Sequence, residues 1–256
     1  MSGILTGKRI LVAGVQTENS FGFATAKAAL EQGATVAVSN FGRGMGITRR
    51  VVKKLPGEVA VLECDVTDDE HLAGLADALR EHVDGLDGVV HAIGFAPQQA
   101  LGEKFADVPW EPVGTALRVS GWSLAALTNA CLPLMPDGGS VIGYDFDATV
   151  AWPAYAWMGV AKAAMESATR YLARELGPRG VRVNLVAAGP LRSMAMKAIP
   201  GAEVFEASWG EHAPLSWDVD DFEPPALAGC ALLSDLFPRT TGEIVHVDGG
   251  FHAVGA

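Results

Sequence analysis

The stretch Ile10-Leu-Val-Ala-Gly-Val-Gln-Thr-Glu-Asn-Ser-Phe-Gly-Phe-Ala24 decides the fold. Its first four residues are apolar without alternation and too few for a helix, the pattern of a strand buried on both faces. Gly14 follows at once and supplies a tight turn. Ser20 stands where a helix N-cap belongs, and Gly22 lets the new helix lie close on the strand it has just left. Such a strand, turn and helix leave free N–H groups and a positive dipole end beyond the strand, a place for an anion such as a pyrophosphate. The glycines do not spell G-x-G-x-x-G, and a glycine after a strand is by itself ordinary turn chemistry.

The alternation then repeats along the chain. Apolar or β-branched runs at 10–13, 35–39, 59–63, 88–91, 140–144, 181–186 and 243–247 read as strands. Between them, helical patterns cover 21–32, 47–54, 68–81, 111–132, 153–176 and 225–233. Strand–helix alternation requires parallel strands joined by right-handed crossovers. The expectation is a single α/β domain over residues 1–256, a doubly wound parallel sheet of Rossmann type. Residues 192–221, rich in Gly, Pro, Met and Trp, break the rhythm and read as an irregular substrate-covering loop inserted in that domain.

Composition narrows the function classes. The chain has 256 residues, 49% of them apolar and 19% charged, enough for one large core. Its formal net charge of −11 argues against nucleic acid or an anionic membrane as partner. The three cysteines, Cys64, Cys131 and Cys230, form no C-x-x-C pair, so no disulfide framework and no metal site is expected. With no signal peptide and no apolar run of transmembrane length, a reducing cytoplasm is the expected compartment.

Doubly wound sheets bind ligands beyond the carboxyl ends of their strands. The third strand ends at Asp65, which can accept from an adenine amino group or cap the following helix. The fourth ends in His91-Ala-Ile-Gly94, whose glycine allows close passage of a ribose or serves a simple turn. The second ends in Asn40-Phe41-Gly42-Arg43, with no Asp or Glu for a ribose diol. Phe41 can pack on adenine there, and Arg43 suits a 2′-phosphate or plain solvent, so NADH and NADPH both stay open. Further on, Tyr155 and Lys162 are seven residues apart, about two helical turns, so a phenol and an ammonium share one apolar face with Met158. That pair suits a proton donor beside a cation.

The stretches Leu86-Asp-Gly-Val-Val-His91, Asp145-Phe-Asp147, Pro153-Ala-Tyr155, Trp157-Met158, Val160-Ala-Lys162, Asn184-Leu-Val-Ala-Ala-Gly-Pro190, Ala195-Met196 and Val247-Asp-Gly-Gly250 carry a resemblance over nearly the whole chain. The chain resembles the short-chain dehydrogenase/reductase superfamily, and within it the NADH-dependent, mycobacterial-type enoyl-[acyl-carrier-protein] reductases. Two departures separate it from ordinary superfamily members. None of its three tyrosines has Lys four residues later, the positions holding Ala148, Gly159 and Glu175. The fifth strand ends Gly143-Tyr-Asp-Phe-Asp147, without the Ser that ketoreductases place beside Tyr. A carbonyl reductase must protonate an alkoxide at once, whereas one hydroxyl can steady the delocalised enolate of an enoyl thioester.

The resemblance implies fatty acid biosynthesis, with hydride passing from NADH to the β-carbon of a trans-2-enoyl chain on acyl carrier protein. It implies catalytic roles for Tyr155, Lys162 and Phe146. It implies cofactor contacts at Gly14, Val15, Ser20, Phe21, Phe41, Asp65, Val66, Ala92, Ile93, Gly94, Lys162, Leu191 and Ser193. The acyl pocket would take Tyr155, Met158, Leu101, Ala195 and Met196, and the assembly would be a homotetramer with the tail 251–256 at an interface. The loop from Ser193 to Pro214 looks about ten residues shorter than in mycobacterial relatives, which implies a preference for shorter acyl chains. The competing readings are a carbonyl-reducing superfamily member and a dinucleotide sensor without turnover.

Overall fold

A computed structural model describes residues 3–254. Seven strands form one parallel sheet: β1 Arg9–Ala13, β2 Thr35–Asn40, β3 Ala60–Glu63, β4 Gly88–His91, β5 Gly139–Asp145, β6 Val181–Ala188 and β7 Ile244–Val247, in the order β3-β2-β1-β4-β5-β6-β7. The order reverses between β1 and β4, which opens a crevice where their two crossovers part. Each expected strand is present, with boundaries shifted by a residue or two at most places.

Strand residues divide by parity between two cores. Leu11, Val89, Val141 and Leu185 pack with α3 (Asp69–Arg80), α5 (Ser123–Cys131) and α6 (Ala156–Leu176). Ile10, Val90, Ile142 and Val186 face α1 (Phe21–Glu31) and α9 (Glu223–Leu233) on the other side. Burial on both faces is why these strands lack polar alternation. Helix starts are fixed by side chains: Ser20 accepts from Phe23 N (3.2 Å), and Asp68 from Glu70 N and His71 N (2.9 and 3.0 Å). No helix among the described residues is long and apolar enough to cross a membrane.

Three expectations need correction. The helix expected over 111–132 is broken: α4 (Trp110–Leu117) and α5 flank a π turn at Arg118–Trp122. There Gly121 lies so close to α6 that a Cβ would sit 2.9 Å from Ala161 O, and the Ser120 hydroxyl holds the Phe95 backbone at N and O (2.8 and 2.9 Å). The expected helix over 47–54 begins earlier, as α2 (Gly44–Val51), and ends in a 3-10 turn at Val52–Lys54. The span 192–221 is not irregular: it contains α7 (Met194–Lys197), capped by Ser193 onto Met196 N (3.1 Å), and α8 (Glu203–His212). Phe205 and Trp209, one turn apart, anchor α8 on an aromatic cluster, a helical period the Gly and Pro content disguised. The last two residues of the tail 251–256 lie outside the described residues.

Candidate active site

A cavity of about 400 Å³ opens at the carboxyl ends of β1, β4, β5 and β6, bordered by part of the 192–221 segment. Gly14 forms its near wall. Its φ is +96°, and a Cβ would lie 2.3 Å from Ala92 O, so only glycine lets the turn after β1 rest on the end of β4. Ser20 and Phe21, at the start of α1, continue this wall. The Ser20 hydroxyl donates to Thr17 O (2.6 Å) while capping α1, so its one proton is already engaged. Phe21 stacks on Tyr144 at 4.6 Å, and Tyr144 shares a 2.5 Å hydrogen bond with Thr25.

The far wall carries the chemistry. Tyr155 is the N-cap of α6, 6% exposed, between Ala154 and Ala156 at φ +57° and +43°. Each of those left-handed alanines costs about 1–2 kcal/mol, strain held by the surrounding packing. The Tyr155 ring meets Phe146 edge-on at 5.2 Å, and among the described residues no protein group hydrogen-bonds its hydroxyl, which faces the cavity. Burial, with the Asp145 charge second, pushes its phenol well above the ordinary value, so the hydroxyl stays a donor. Two turns on, buried Lys162 donates to Tyr144 O at 2.7 Å. Burial draws its ammonium down and Asp145 opposes that.

Phe146 links two apolar groups. Towards α6 it joins Leu101, Tyr155 and Met158; towards the 192–221 segment it meets Trp152 at 5.2 Å and Phe205 and Trp209 at 5.6 Å. Trp209 in turn stacks on Phe251 at 3.7 Å. The end of β5 brings Tyr144, Asp145 and Phe146 to the cavity, with no Ser or Thr hydroxyl beside Tyr155. Leu191 and, from the 192–221 segment, Ser193, Ala195 and Met196 line the cavity; Arg192 ties the segment together through Glu206 and Asp220 (both 2.7 Å), and Gln98 holds it from outside at Ala198 O (2.7 Å).

The structure thus gathers on one cavity Gly14, Ser20, Phe21, Ala92, Ile93, Gly94, Leu101, Phe146, Tyr155, Met158, Lys162, Leu191, Ser193, Ala195 and Met196. Four expected cofactor residues lie off its wall. Val15 is fully buried, its carbonyl taken by Thr48 and Asn40 (2.6 and 3.0 Å). Asp65 does not cap α3, which Asp68 does; its Oδ1 accepts from Thr67 N and Oγ1 (2.8 and 2.7 Å). Val66 is buried beside it, and Phe41 is exposed at the end of β2. All but Val15 follow the sheet edge outward from the crevice, along β2 and β3.

One acid escaped the sequence reading. The β2–β3 register sets Glu63 beside Asn40, and its Oε1 accepts from Gly42 N at 3.0 Å. A carboxylate therefore does stand at the end of β2, supplied by the neighbouring strand. Among the described residues no group of His, Cys, Asp and Glu is arranged to hold a metal ion.

Comparison with known proteins gives a consistent result. A family model described as "Enoyl-(Acyl carrier protein) reductase" matches residues 14–252. The NADH enoyl-[acyl-carrier-protein] reductase of Mycolicibacterium smegmatis is 46% identical over 264 residues, covering 98% of each chain. That of Mycobacterium avium is 43% identical over 263 residues, again 98% of each. The NADPH enzyme of Staphylococcus aureus is 34% identical over 256 residues, with 98% of each covered.

Proposed function

The chain belongs to the enoyl-[acyl-carrier-protein] reductase family, within the short-chain dehydrogenase/reductase superfamily, and we propose that it uses NADH to reduce the trans-2 double bond of an enoyl thioester on acyl carrier protein. The observation that carries the reading is the pairing of a cavity-facing Tyr155 hydroxyl with buried Lys162, with no Ser or Thr at the end of β5.

The residues fit a reduced dinucleotide. The Gly14 turn packs on the end of β4 at a distance only glycine allows, and the α1 N-terminus beyond it offers a positive dipole end for the pyrophosphate. Lys162 is placed to hold ribose hydroxyls near the nicotinamide. Leu191 and Ser193 border the same end, and Ile93 and Gly94 the middle. Phe41, Asp65 and Val66 would receive the adenine beyond the crevice. Glu63 favours a bare 2′-hydroxyl over a 2′-phosphate, whose negative charge it would repel. Bound NADH supplies the hydride.

Tyr155 donates a hydrogen bond to the thioester oxygen as negative charge grows there, the interaction that lowers the barrier. Lys162 keeps a positive field beside that oxygen. Phe146 and Met158 hold the acyl chain against the wall and exclude water, and Ala195 and Met196 close over it from the 192–221 segment. The aromatic cluster of Trp152, Phe205 and Trp209 limits the depth of the acyl site, which favours short and medium chains. A homotetramer in the cytoplasm is the accompanying reading. Exposed Trp110, Trp122 and Tyr171 are apolar surface available to it, and sedimentation would test the assembly.

Loss of reduced-nicotinamide absorbance with a medium-chain enoyl thioester, and none with a β-ketoacyl thioester, is the expected result. The opposite pattern assigns carbonyl reduction. Cofactor binding without turnover of any acyl thioester assigns a sensor.

A further inference from the structure

Asp145, at the end of β5, is 4% exposed, and both of its carboxyl oxygens are buried with no hydrogen-bond partner among the described residues. An ionised carboxylate left so is strongly disfavoured. The surroundings show how the cost is avoided. Glu166, one turn beyond Lys162 on α6, is also buried and lies against Asp145. Its Oε1 accepts from Ala148 N at 3.1 Å, so this carboxyl has a backbone donor where Asp145 has none. A neighbouring carboxyl disfavours charge on Asp145 further.

We propose that Asp145 is kept as a buried carboxylic acid at neutral pH, and that its ionisation decides whether Lys162, held on the neighbouring Tyr144 carbonyl, is free to hold the cofactor ribose. The proposal rests on the reading of the cavity given above. With Asp145 protonated, the ammonium donates once to Tyr144 O and keeps its other N–H groups for the ribose hydroxyls. When Asp145 releases its proton to solvent, a bare buried carboxylate stands next to Lys162 and draws the ammonium back onto itself. Asp145 is a positioning residue, acting through Lys162.

The other groups around it leave this assignment intact. From α6, Tyr155, Lys162 and Glu166 face Asp145. From β4, His91 faces Lys162; burial first and the ammonium second hold it down at about 3, so it is neutral, with Nε2 on Ser123 at 2.7 Å. From β6 the register partner is apolar Ala187, and Asp147 turns away to His246 of β7 at 3.7 Å. Burial raises Asp145 to about 8, with Lys162 opposing and Glu166 adding to the rise.

The test is NADH affinity by fluorescence against pH, together with infrared spectra of the apo protein. Wild type should lose affinity about tenfold per pH unit above an inflection near Asp145's own titration. Asp145→Asn should bind with no such limb. Glu166→Gln, which removes a like charge, should move the inflection to lower pH. The apo spectrum should show a buried carboxylic-acid band that titrates in wild type and is missing in Asp145→Asn. Absence of that band, a flat wild-type profile, or an unchanged inflection in either variant overturns the proposal. If Asp145→Asn does not fold, Glu166→Gln and the wild-type band decide it. A titrating band in a protein that binds no NADH at any pH overturns the functional reading instead, and the role in ribose binding with it.

Discussion

Replacing Tyr155 by Phe removes one oxygen and nothing else that the fold uses. The hydroxyl faces the cavity without a protein partner, and the ring's edge-on contact with Phe146 at 5.2 Å survives the change. No buried donor or acceptor is orphaned, so stability should shift by less than about 0.5 kcal/mol. Turnover should fall far more. Losing one preorganised donor to a developing oxyanion costs about 2.7–4 kcal/mol, or roughly 10²–10³ in kcat. NADH affinity should hold, because Lys162 keeps its bond to Tyr144 O. The assay is NADH oxidation with a saturating enoyl thioester, run beside thermal melts and cofactor titrations of the same preparation. A folded Phe variant that binds NADH normally and turns over within about threefold of wild type would refute the assignment of the donor; at 1.36 kcal/mol per factor of ten, that is well under 1 kcal/mol.

The remaining expectations concern the cofactor, the acyl site and the sheet. Gly14→Ala puts a Cβ 2.3 Å from Ala92 O at φ +96°, so it should abolish NADH binding and lower the melting temperature; normal binding by calorimetry would contradict the tight-turn argument. Glu63→Gln should raise catalytic efficiency with NADPH relative to NADH, and an unchanged ratio would remove Glu63 from cofactor choice. Rates across enoyl chain lengths should peak at short or medium chains, and Trp152→Ala should move the peak to longer ones; a wild-type series still climbing at the longest chains would contradict the aromatic stop. Burial works to raise Asp87, but its hydrogen bonds from Arg9 (2.8 and 2.9 Å) outweigh that and hold it below the usual carboxylate range. A depressed carboxyl contributes stability above the unfolded value of about 4 and loses it as pH falls through the folded one. Asp87→Asn should therefore melt lower than wild type at neutral pH, by no more than about 1 kcal/mol for so exposed a pair, and the two melts should converge in acid.

Much of this was legible before any coordinates. Unbroken apolar runs betrayed strands buried on two faces, and parity assigns Leu11 and Ile10 to opposite cores as parallel strands require. Tyr155 and Lys162 could be paired because helical spacing is local. What escaped was set by partners distant in sequence. Glu63 reaches the end of β2 only through strand register, and the π turn at 118–122 answers to Ala161 on another helix. Asp145 stands in a stretch that carries the resemblance, but its burial without a partner shows only in the fold. The 192–221 segment misled for the opposite reason, since Pro200, Gly201 and Pro214 flank, and Gly210 interrupts, the pattern of short helices whose Phe205 and Trp209 bury only in the aromatic cluster.

The way that segment is tied down has an evolutionary side. Arg192 N donates to Val219 O at 2.8 Å, and its guanidinium reaches Asp220, so the segment leaves and rejoins the body at nearly one point. Closing a loop of that kind costs little more when it grows, about 0.6 kcal/mol per doubling. Residues can be gained or lost between the two footings while the sheet beneath stays in register. A segment footed in this manner can be lengthened or trimmed in evolution without disturbing the crevice where the strand order reverses.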